Sequence, residues 1–334
     1  MQIAVIGAGL AGLTCARVLQ AQGHRVTVYE KSQAVSGRMS TRRNELGGFD
    51  HGAQYFTATS TAFRQQVMDW KKTGWVAAWN PQLAVLEHGR MSAPSAAARR
   101  KQRWVPQPGM RSLGEQLADD LDVRTGQQVR FIERAGDAWL LAVRADTVPI
   151  DATAGPFDAV VVAVPADQAV PLLETIAPTF SQQAAEARLA PCWCLMLAFA
   201  DTLGLPYDAA WINQSRLGWI AQDASKPGRR PGEHWIAQAT AAWSTEHLED
   251  DPERAREKLL SAFHEATGSQ VQPVFAAVHR WRYSQALAPL RADCLWDAAQ
   301  GIGACGDWFS AGLDGMGRIE NAWTSGNALA RNIG

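Results

Sequence analysis

Three glycines near the start of the chain have the spacing of a pyrophosphate-binding turn. Gly7, Gly9 and Gly12 form a G-x-G-x-x-G pattern directly after an apolar run, residues 3–6, that predicts a buried strand. The first glycine permits the tight turn, the second lets the backbone approach the phosphates, and the third lets the next helix pack closely. The helix predicted over residues 10–22 points its free N–H groups at the phosphates. The pattern predicts a dinucleotide cofactor.

An acidic residue and a short motif after it narrow the choice of cofactor. Glu30 closes a strand predicted over residues 25–29, where a carboxylate accepts hydrogen bonds from a ribose 2′-hydroxyl. It disfavours NADP because it would repel a 2′-phosphate. The segment Ser36-Gly37-Arg38 points to FAD in particular, and so to electron-transfer chemistry.

Length and composition suggest a two-domain protein of the cytoplasm. The 334 residues exceed one typical domain, and a net charge of −1 gives no sign of nucleic acid or an anionic membrane as a partner. Five scattered cysteines suit a reducing compartment, and Cys192-x-Cys194 lacks neighbours that would complete a metal site. No apolar stretch of about 18 residues predicts a membrane span. The apolar N-terminus lacks the basic region of a signal peptide.

The elements that must position these residues fall into two groups. Buried strands of the first type recur at residues 157–164 and 301–306, and the last helix is predicted over 318–332. The region after Pro165 instead alternates helices with strands. We therefore predict an α/β fold: a Rossmann-type, three-layer domain with a mostly parallel sheet, and an α+β domain with a mixed or antiparallel sheet. The predicted FAD-binding domain comprises residues 1–58, 105–165 and 296–334, and the substrate-binding domain comprises residues 59–104 and 166–295.

With these segments placed, the chain resembles the flavin-containing amine oxidase superfamily and, within it, the renalases, in particular the short bacterial ones. The resemblance covers nearly the whole length. The segments that carry it are VIGAGLAGL (5–13), SGRMS (36–40), DHGAQYF (50–56), VPQPGM (105–110), VVVAVPA (160–166), HRWRYSQ (279–285) and ACGDWFSAGLDGMGRIENAWTSG (304–326). It implies the fold shared by p-hydroxybenzoate hydroxylase and the amine oxidases, with non-covalent FAD.

The resemblance also implies which residues meet the cofactor. Arg38 lies against the phosphates, where a guanidinium fork suits, although Ser36 stands where the family has a first glycine. Residues 52–55 run beside the isoalloxazine ring, and the first amides of the last helix face its N1–O2 edge as an oxyanion hole. The residues predicted to bind FAD are Gly7, Gly9, Leu10, Ala11, Gly12, Glu30, Lys31, Gly37, Arg38, Met39, Gly52, Ala53, Gln54, Tyr55, Val129, Gly306, Asp307, Arg318, Ile319 and Glu320.

Renalase-like proteins oxidise isomers of NAD(P)H that carry the hydride at the 2- or 6-position. The resemblance therefore implies hydride transfer to flavin N5 and reoxidation by O2 to hydrogen peroxide. A dihydropyridine that loses hydride becomes aromatic, so no general base is required. Amine oxidases commonly place a lysine near N5, but no lysine here lies in an apolar strand, and Lys226 is predicted in an exposed turn. The candidate residues at the reacting end are Gln238, Trp281, Tyr283 and Ile319.

Gln238 stands where renalases often carry a histidine, so we expect only a weak pH dependence of flavin reduction between about pH 6 and 8. The scattered histidines are expected to be structural, and Arg216, Arg229 and Arg230 are expected on the surface. Two alternatives stay open: a flavin amine oxidase or desaturase of another small reductant, and a flavoprotein that binds FAD structurally or senses redox state without turnover. The sequence leaves open the oligomeric state and the choice between NAD and NADP forms.

Overall fold

A six-stranded, mostly parallel sheet lies at the centre of the computed structural model, which describes residues 1–147, 150–310 and 319–334. Four of its five pairings are parallel, and only one edge strand runs antiparallel to its neighbour. In sheet order the strands are β19 (Leu295–Asp297), β20 (Ile302–Ala304), β13 (Ala159–Val162), β1 (Gln2–Ile6), β2 (Arg25–Tyr29) and β9 (Asp122–Arg124). This sheet confirms the predicted Rossmann-type architecture.

The two faces of this sheet are buried against different layers, because successive strand residues point to opposite sides. Ile3 and Val5 of β1 share a core with the helices, and Ala4 and Ile6 share one with a second sheet. The helical layer contains α1 (Leu10–Ala21), α4 (Ser112–Ala118) and α9 (Ile319–Ile333). The opposite layer is a three-stranded antiparallel sheet of β10 (Gln127–Ala135), β11 (Ala138–Ala145) and β12 (Asp151–Phe157).

A separate seven-stranded, mostly antiparallel sheet forms the second half of the structure. One face packs on α7 (Ala241–Glu246) and α8 (Pro252–Thr267), with Trp193, Trp235 and Phe263 in a common core. In sheet order the strands are β18 (Phe275–Ala288), β14 (Arg188–Phe199), β17 (Glu233–Ala239), β16 (Leu217–Gln222), β15 (Ala209–Asn213), β6 (Leu83–Glu87) and β7 (Arg90–Ser92). The predicted mixed sheet is therefore present, and its other face is free to border a cavity.

Short elements connect the two sheets. They are β3 (Arg42–Asn44), β4 (Gly47–Phe49), α2 (Thr61–Lys72), β5 (Val76–Trp79), α3 (Ala96–Arg100), β8 (Arg103–Pro106), α5 (Ala166–Leu173) and α6 (Pro178–Glu186). The division into two domains stays a prediction. Two of its boundaries, after residues 104 and 295, fall inside β8 and β19. Within the described ranges, no helix combines the length and the apolar character needed to cross a lipid bilayer.

Candidate active site

One cavity of about 1380 Å³ runs from the glycine-rich turn to the seven-stranded sheet. Its nucleotide end is lined by Gly7, Gly9 and Glu30. Its other end, which we call the sheet end, is lined by Tyr55, Trp211, Trp219, Gln238, His279 and Trp281. Pockets for a single small molecule measure roughly 300–1,000 Å³. The cavity therefore has room for a dinucleotide and for part of a second molecule.

The nucleotide end has the form that a pyrophosphate needs. Gly7 adopts φ +108°, and a Cβ there would lie 2.6 Å from the carbonyl oxygen of Ala163. A Cβ on Gly12 would overlap the carbonyl of Gly7, so this glycine serves packing and does not line the cavity. A Cβ on Gly9 would meet nothing within 4 Å, and Gly9 caps α1 without a side-chain hydrogen bond. The first amides of α1 are therefore open to an anionic ligand.

Glu30 is held ready at the same end of the cavity. Its carboxylate is buried and accepts the backbone N–H groups of Ala8 at 2.9 Å and Ser32 at 2.8 Å. These bonds fix the carboxylate beside the turn, where a ribose hydroxyl of a bound dinucleotide can donate to it. The site thus fits the adenosine half of FAD by its own geometry.

Arg38 and Asp307, which both line the cavity, form a bidentate ion pair. The guanidinium donates to the two carboxylate oxygens at 3.0 and 2.7 Å, and also to the carbonyl of Ser284 at 3.1 Å. Both side chains are largely buried, which strengthens such a pair relative to a surface one. Asp307 therefore orients the arginine that the sequence predicts against the phosphates.

The structure brings nearly all the predicted site residues to this one cavity, including Lys31, Met39, Val129, Gly306 and Ile319. The exceptions are Gly12, Glu320 and Arg318. Glu320 is buried in the first turn of α9, and its carboxylate accepts the amides of Thr59 at 2.8 Å and Ser60 at 2.6 Å. It anchors the helix rather than lining the cavity. Arg318 lies outside the described residues.

One row of side chains crosses the seven-stranded sheet at the sheet end. His279 pairs with Cys194, Cys194 with Gln238, Gln238 with Trp219, and Trp219 with Trp211 on successive strands. Directly opposed residues project to the same face of a sheet. All of the row except Cys194 line the cavity. The sequence singled out only Gln238 from this row, because register between distant strands is invisible in one sequence.

Two histidines predicted to be structural line the cavity together. The rings of His51 and His279 are 4.8 Å apart, and Trp281 lies 5.3 Å from the first and 4.3 Å from the second. Burial and the neighbouring His279 lower the pKa of His51 to about 4. Burial, with a contribution from Arg42, also lowers the pKa of His279. Both imidazoles are therefore neutral at pH 7. Residues 279, 281 and 283 are two apart on one strand and therefore share a face. This spacing could have identified His279 as a cavity residue.

Side-chain donors hold residues 50–54, which we call the wall segment. The amide of Gln238 donates to the carbonyl of Gly52 at 2.6 Å, and the indole of Trp281 donates to that of His51 at 2.8 Å. Gln54 donates to the carbonyls of Asp50 and Gly52. Tyr283 lines the same cavity, and none of the described hydrogen bonds joins its side chain to the wall segment. Gln238 and Trp281 therefore shape the wall, whatever they do toward a substrate.

The exposed positions predicted for Lys226 and Arg229 are wrong. The side chain of Lys226 is completely buried and that of Arg229 is 5% exposed, because both face the buried carboxylate of Asp50. Lys226 also pairs with Asp223. Burying a charge is unfavourable unless the charge is paired, and both of these cations are paired with buried carboxylates.

Cys305 is not placed to attach a flavin. It is fully buried, is absent from the cavity lining, and shares a hydrogen bond with Cys15. That bond and burial raise the pKa of the Cys305 thiol well above its usual value. A thiol in this state is a poor nucleophile.

Comparison with known proteins decides the family. The model of the flavin containing amine oxidoreductases matches residues 94–334, and that of the NAD(P)-binding Rossmann-like domain matches residues 5–69. The chain belongs to the flavin-containing amine oxidoreductase family. Membership and the fitting nucleotide end together identify the cofactor as FAD.

Individual relatives illustrate the breadth of this family. An L-amino-acid oxidase of Siganus canaliculatus is 42% identical over 64 residues, 19% of this chain and 12% of its own length. A 4,4′-diapophytoene desaturase of Staphylococcus haemolyticus is 50% identical over 52 residues, 16% of this chain and 10% of its own length. The chain thus matches only about a tenth of the length of these relatives. The structure of cyclohexylamine oxidase from Brevibacterium oxydans superposes with a TM-score of 0.72 at 12% identity, over 99% of this chain and 98% of its own, which shows the shared fold.

Proposed function

We propose that this protein is an FAD-dependent oxidase that takes a hydride from 2- or 6-dihydro isomers of NAD(P)H. Bound FAD supplies the hydride acceptor and passes the electrons to O2. In balance, one isomer, one proton and one O2 give NAD(P)⁺ and one hydrogen peroxide. The residues of the chain bind and orient the donor and keep water away from the reacting end.

The neutral character of the sheet end supports this choice of donor. Among the described residues there, side chains are aromatic, imidazole or amide, and none is a carboxylate. The carboxylates that do line the cavity are elsewhere: Glu30 at the nucleotide end, Asp307 paired with Arg38, and Asp167 in α5. An alkylammonium donor would therefore be buried without an anionic partner, which is unfavourable. A neutral dihydropyridine ring needs only flat apolar walls and a few hydrogen bonds.

Polar groups suited to a carboxamide lie on the same row. The Gln238 amide and the neutral His279 imidazole can each donate or accept a hydrogen bond. Lys101 lines the cavity from an exposed position and offers a cation for the phosphates of a dinucleotide donor. Lys226, the lysine that the structure places nearest to the wall segment, has its ammonium engaged by Asp223 and Gln54.

Product analysis tests the proposal. We expect the holoprotein, given a 6-dihydro isomer of NAD in air, to consume one O2 per donor and to form equal amounts of NAD⁺ and hydrogen peroxide. Ordinary NADH, with its hydride at the 4-position, is the matched control donor and should react far more slowly. Oxygen uptake with cyclohexylamine or an amino acid, and none with the isomers, would instead support an amine oxidase.

A further inference from the structure

A buried cluster of four charges lies behind the wall segment, and the nucleotide end does not use it. Asp50 and Lys226 are completely buried, Asp223 is 1% exposed and Arg229 is 5% exposed. Two carboxylates and two cations balance, so the cluster carries no net charge. A buried ion pair alone is weak evidence for a role in stability. The contacts around the cluster show what else it does.

The carboxylate of Asp50 joins distant parts of the chain. One oxygen accepts the hydroxyl of Thr41 at 2.6 Å and the amide of Met110 at 3.0 Å. The other accepts Arg229 at 2.6 Å and faces the ammonium of Lys226 at 3.4 Å. Burial would raise the pKa of Asp50, but the two cations, together with the hydrogen bonds from Thr41 and Met110, outweigh burial and hold it at about 2. Asp50, the first residue of the wall segment, is thus an anion locked in place.

Lys226 reaches past the cluster to the cavity wall. Its ammonium donates to the side-chain oxygen of Gln54 at 3.2 Å. With that oxygen held, the NH2 group of Gln54 must face the carbonyls of Asp50 and Gly52, to which it donates. A flipped amide would set its oxygen against two carbonyl oxygens and its NH2 against an ammonium. Lys226 therefore selects one orientation of Gln54.

The orientation of Gln54 completes a continuous set of bonds. The three successive carbonyls of residues 50–52 accept N–H groups from Gln54, Trp281 and Gln238. The peptide groups of the wall segment are thus tied to protein donors. Without Lys226, the Gln54 amide is no longer held in the orientation that donates to the carbonyls of Asp50 and Gly52. These carbonyls are then free to turn toward the cavity.

We propose that Lys226 is a positioning residue of the FAD site, which fixes the Gln54 amide and, through it, the peptide groups of the wall segment. Carbonyls turned toward the cavity would present negative dipole ends to the flavin and oppose negative charge on the ring. This role depends on FAD and not on the identity of the hydride donor, so it can be tested even if the proposed donor is wrong.

Sulfite tests the proposal without any donor, because it adds to the oxidised flavin ring and leaves negative charge there. In the holoprotein, Gln54→Met removes both the acceptor of Lys226 and the NH2 group that donates to the carbonyls of Asp50 and Gly52, and it leaves all four charges paired. We expect the Kd of sulfite to rise about tenfold with FAD still bound, which is the lower end of the effect known for groups that orient the ligands of a metal ion. Amide hydrogen exchange in the wall segment should also become faster. Unchanged exchange together with unchanged sulfite affinity overturns the proposal; if the wild type does not bind sulfite, exchange alone decides.

A second variant removes the lysine itself. Lys226→Met combined with Asp223→Asn takes away one cation and one carboxylate, so no charge is left unpaired. We expect the same two changes as in Gln54→Met, and no further change when all three substitutions are combined, because without the Gln54 amide Lys226 has no group left to orient. Additive effects would mean that the cluster only stabilises the fold. If this variant loses FAD, amide exchange in the wall segment decides, compared between the variant and the wild type with both proteins freed of FAD; equal exchange in the two overturns the proposal.

The matched control is Lys258→Met with Asp250→Asn. This pair is joined at 2.7 Å, is partly exposed, and lies outside the cavity lining. We expect it to change sulfite affinity by less than about twofold, as for a surface ion pair. An effect equal to that of the Lys226 pair would contradict a specific positioning role.

Discussion

Gln238 and Trp281 donate hydrogen bonds to the wall segment, although the sequence predicts both at the substrate. The sequence locates them beside the cavity, because strand position and periodicity decide which face a side chain occupies. It cannot show what they bind, since their partners are 186 and 230 residues away along the chain. The same limit hides the burial of Lys226, whose partner Asp50 is 176 residues away. Polar residues in a loop look exposed until the fold supplies their counter-charges.

A histidine in place of Gln238 should make the reaction depend on pH. In the wild type, His51 and His279 are neutral near pH 7 because burial lowers the pKa of both, so flavin reduction by the 6-dihydro isomer should be nearly flat between about pH 6 and 8. Gln238→His adds an imidazole to the same row and should add an ionisation near or below pH 6.5. Stopped-flow rates measured from about pH 5 to about pH 8 check this. A steep single ionisation in the wild type between pH 6 and 8 contradicts it.

Acid should destabilise the fold through His51. Its pKa is about 4 in the folded protein and about 6.5 in the unfolded chain, so the unfolded chain binds more protons as the pH falls. This stability is present above about pH 6.5 and is lost progressively toward pH 4. Between pH 7 and 5 the loss from this group should be about 2 kcal/mol in the free energy of unfolding. Urea titrations of wild type and His51→Gln check it, and an equal pH dependence in both proteins would refute this assignment.

At the scale of elements, the sequence locates the helices and the parallel strands well. The strand at residues 25–29 has both ends where the pattern predicts, and the helix predicted over residues 10–22 extends over Leu10–Ala21. The sequence missed β12, whose DATAGPF segment contains a glycine and a proline that argue against a strand. It also missed β15, a short strand without clear alternation that pairs with β6 across more than a hundred residues. Pairing with strands distant in the chain or at a sheet edge, not local pattern, stabilises both: β12 is an edge strand, and β15 lies between β16 and β6.

The start of α9 should depend on Glu320. Its buried carboxylate accepts two amides at the start of α2, so it ties the two helices together and faces the positive end of α2. Glu320→Gln keeps only one acceptor and sets an NH2 group against an amide. The free energy of unfolding should fall by about 2 kcal/mol, the usual range for a charged hydrogen bond. Glu257→Gln in α8 is the matched exposed control; urea unfolding that shows the same change in both variants would rule out the anchoring role.

At the scale of the whole molecule, two sheets meet across one cavity. The parallel sheet supplies the turn that suits the adenosine end of FAD, and the seven-stranded sheet supplies a neutral row at the other end. The glycine pattern of residues 7–12, together with Glu30, predicts only a dinucleotide. The assembled fold shows in addition that residues from both ends of the chain, such as Gly9 and Asp307, line the same cavity. In the proposed function, the choice of donor depends on this assembly, because the row of side chains at the sheet end comes from separate strands.

Anaerobic mixing of the holoprotein with single donors tests the central claim most directly. The flavin absorbance should bleach rapidly and completely with a 2- or 6-dihydro isomer of NAD(P)H, and should stay unchanged over the same time with cyclohexylamine or an L-amino acid. We expect the isomers to react in preference to the amines because the sheet end is neutral. Among the described residues there, no carboxylate could pair with the ammonium group of an amine. Bleaching by the amines and not by the isomers would contradict the account, and bleaching by none of these donors would favour a flavoprotein without turnover.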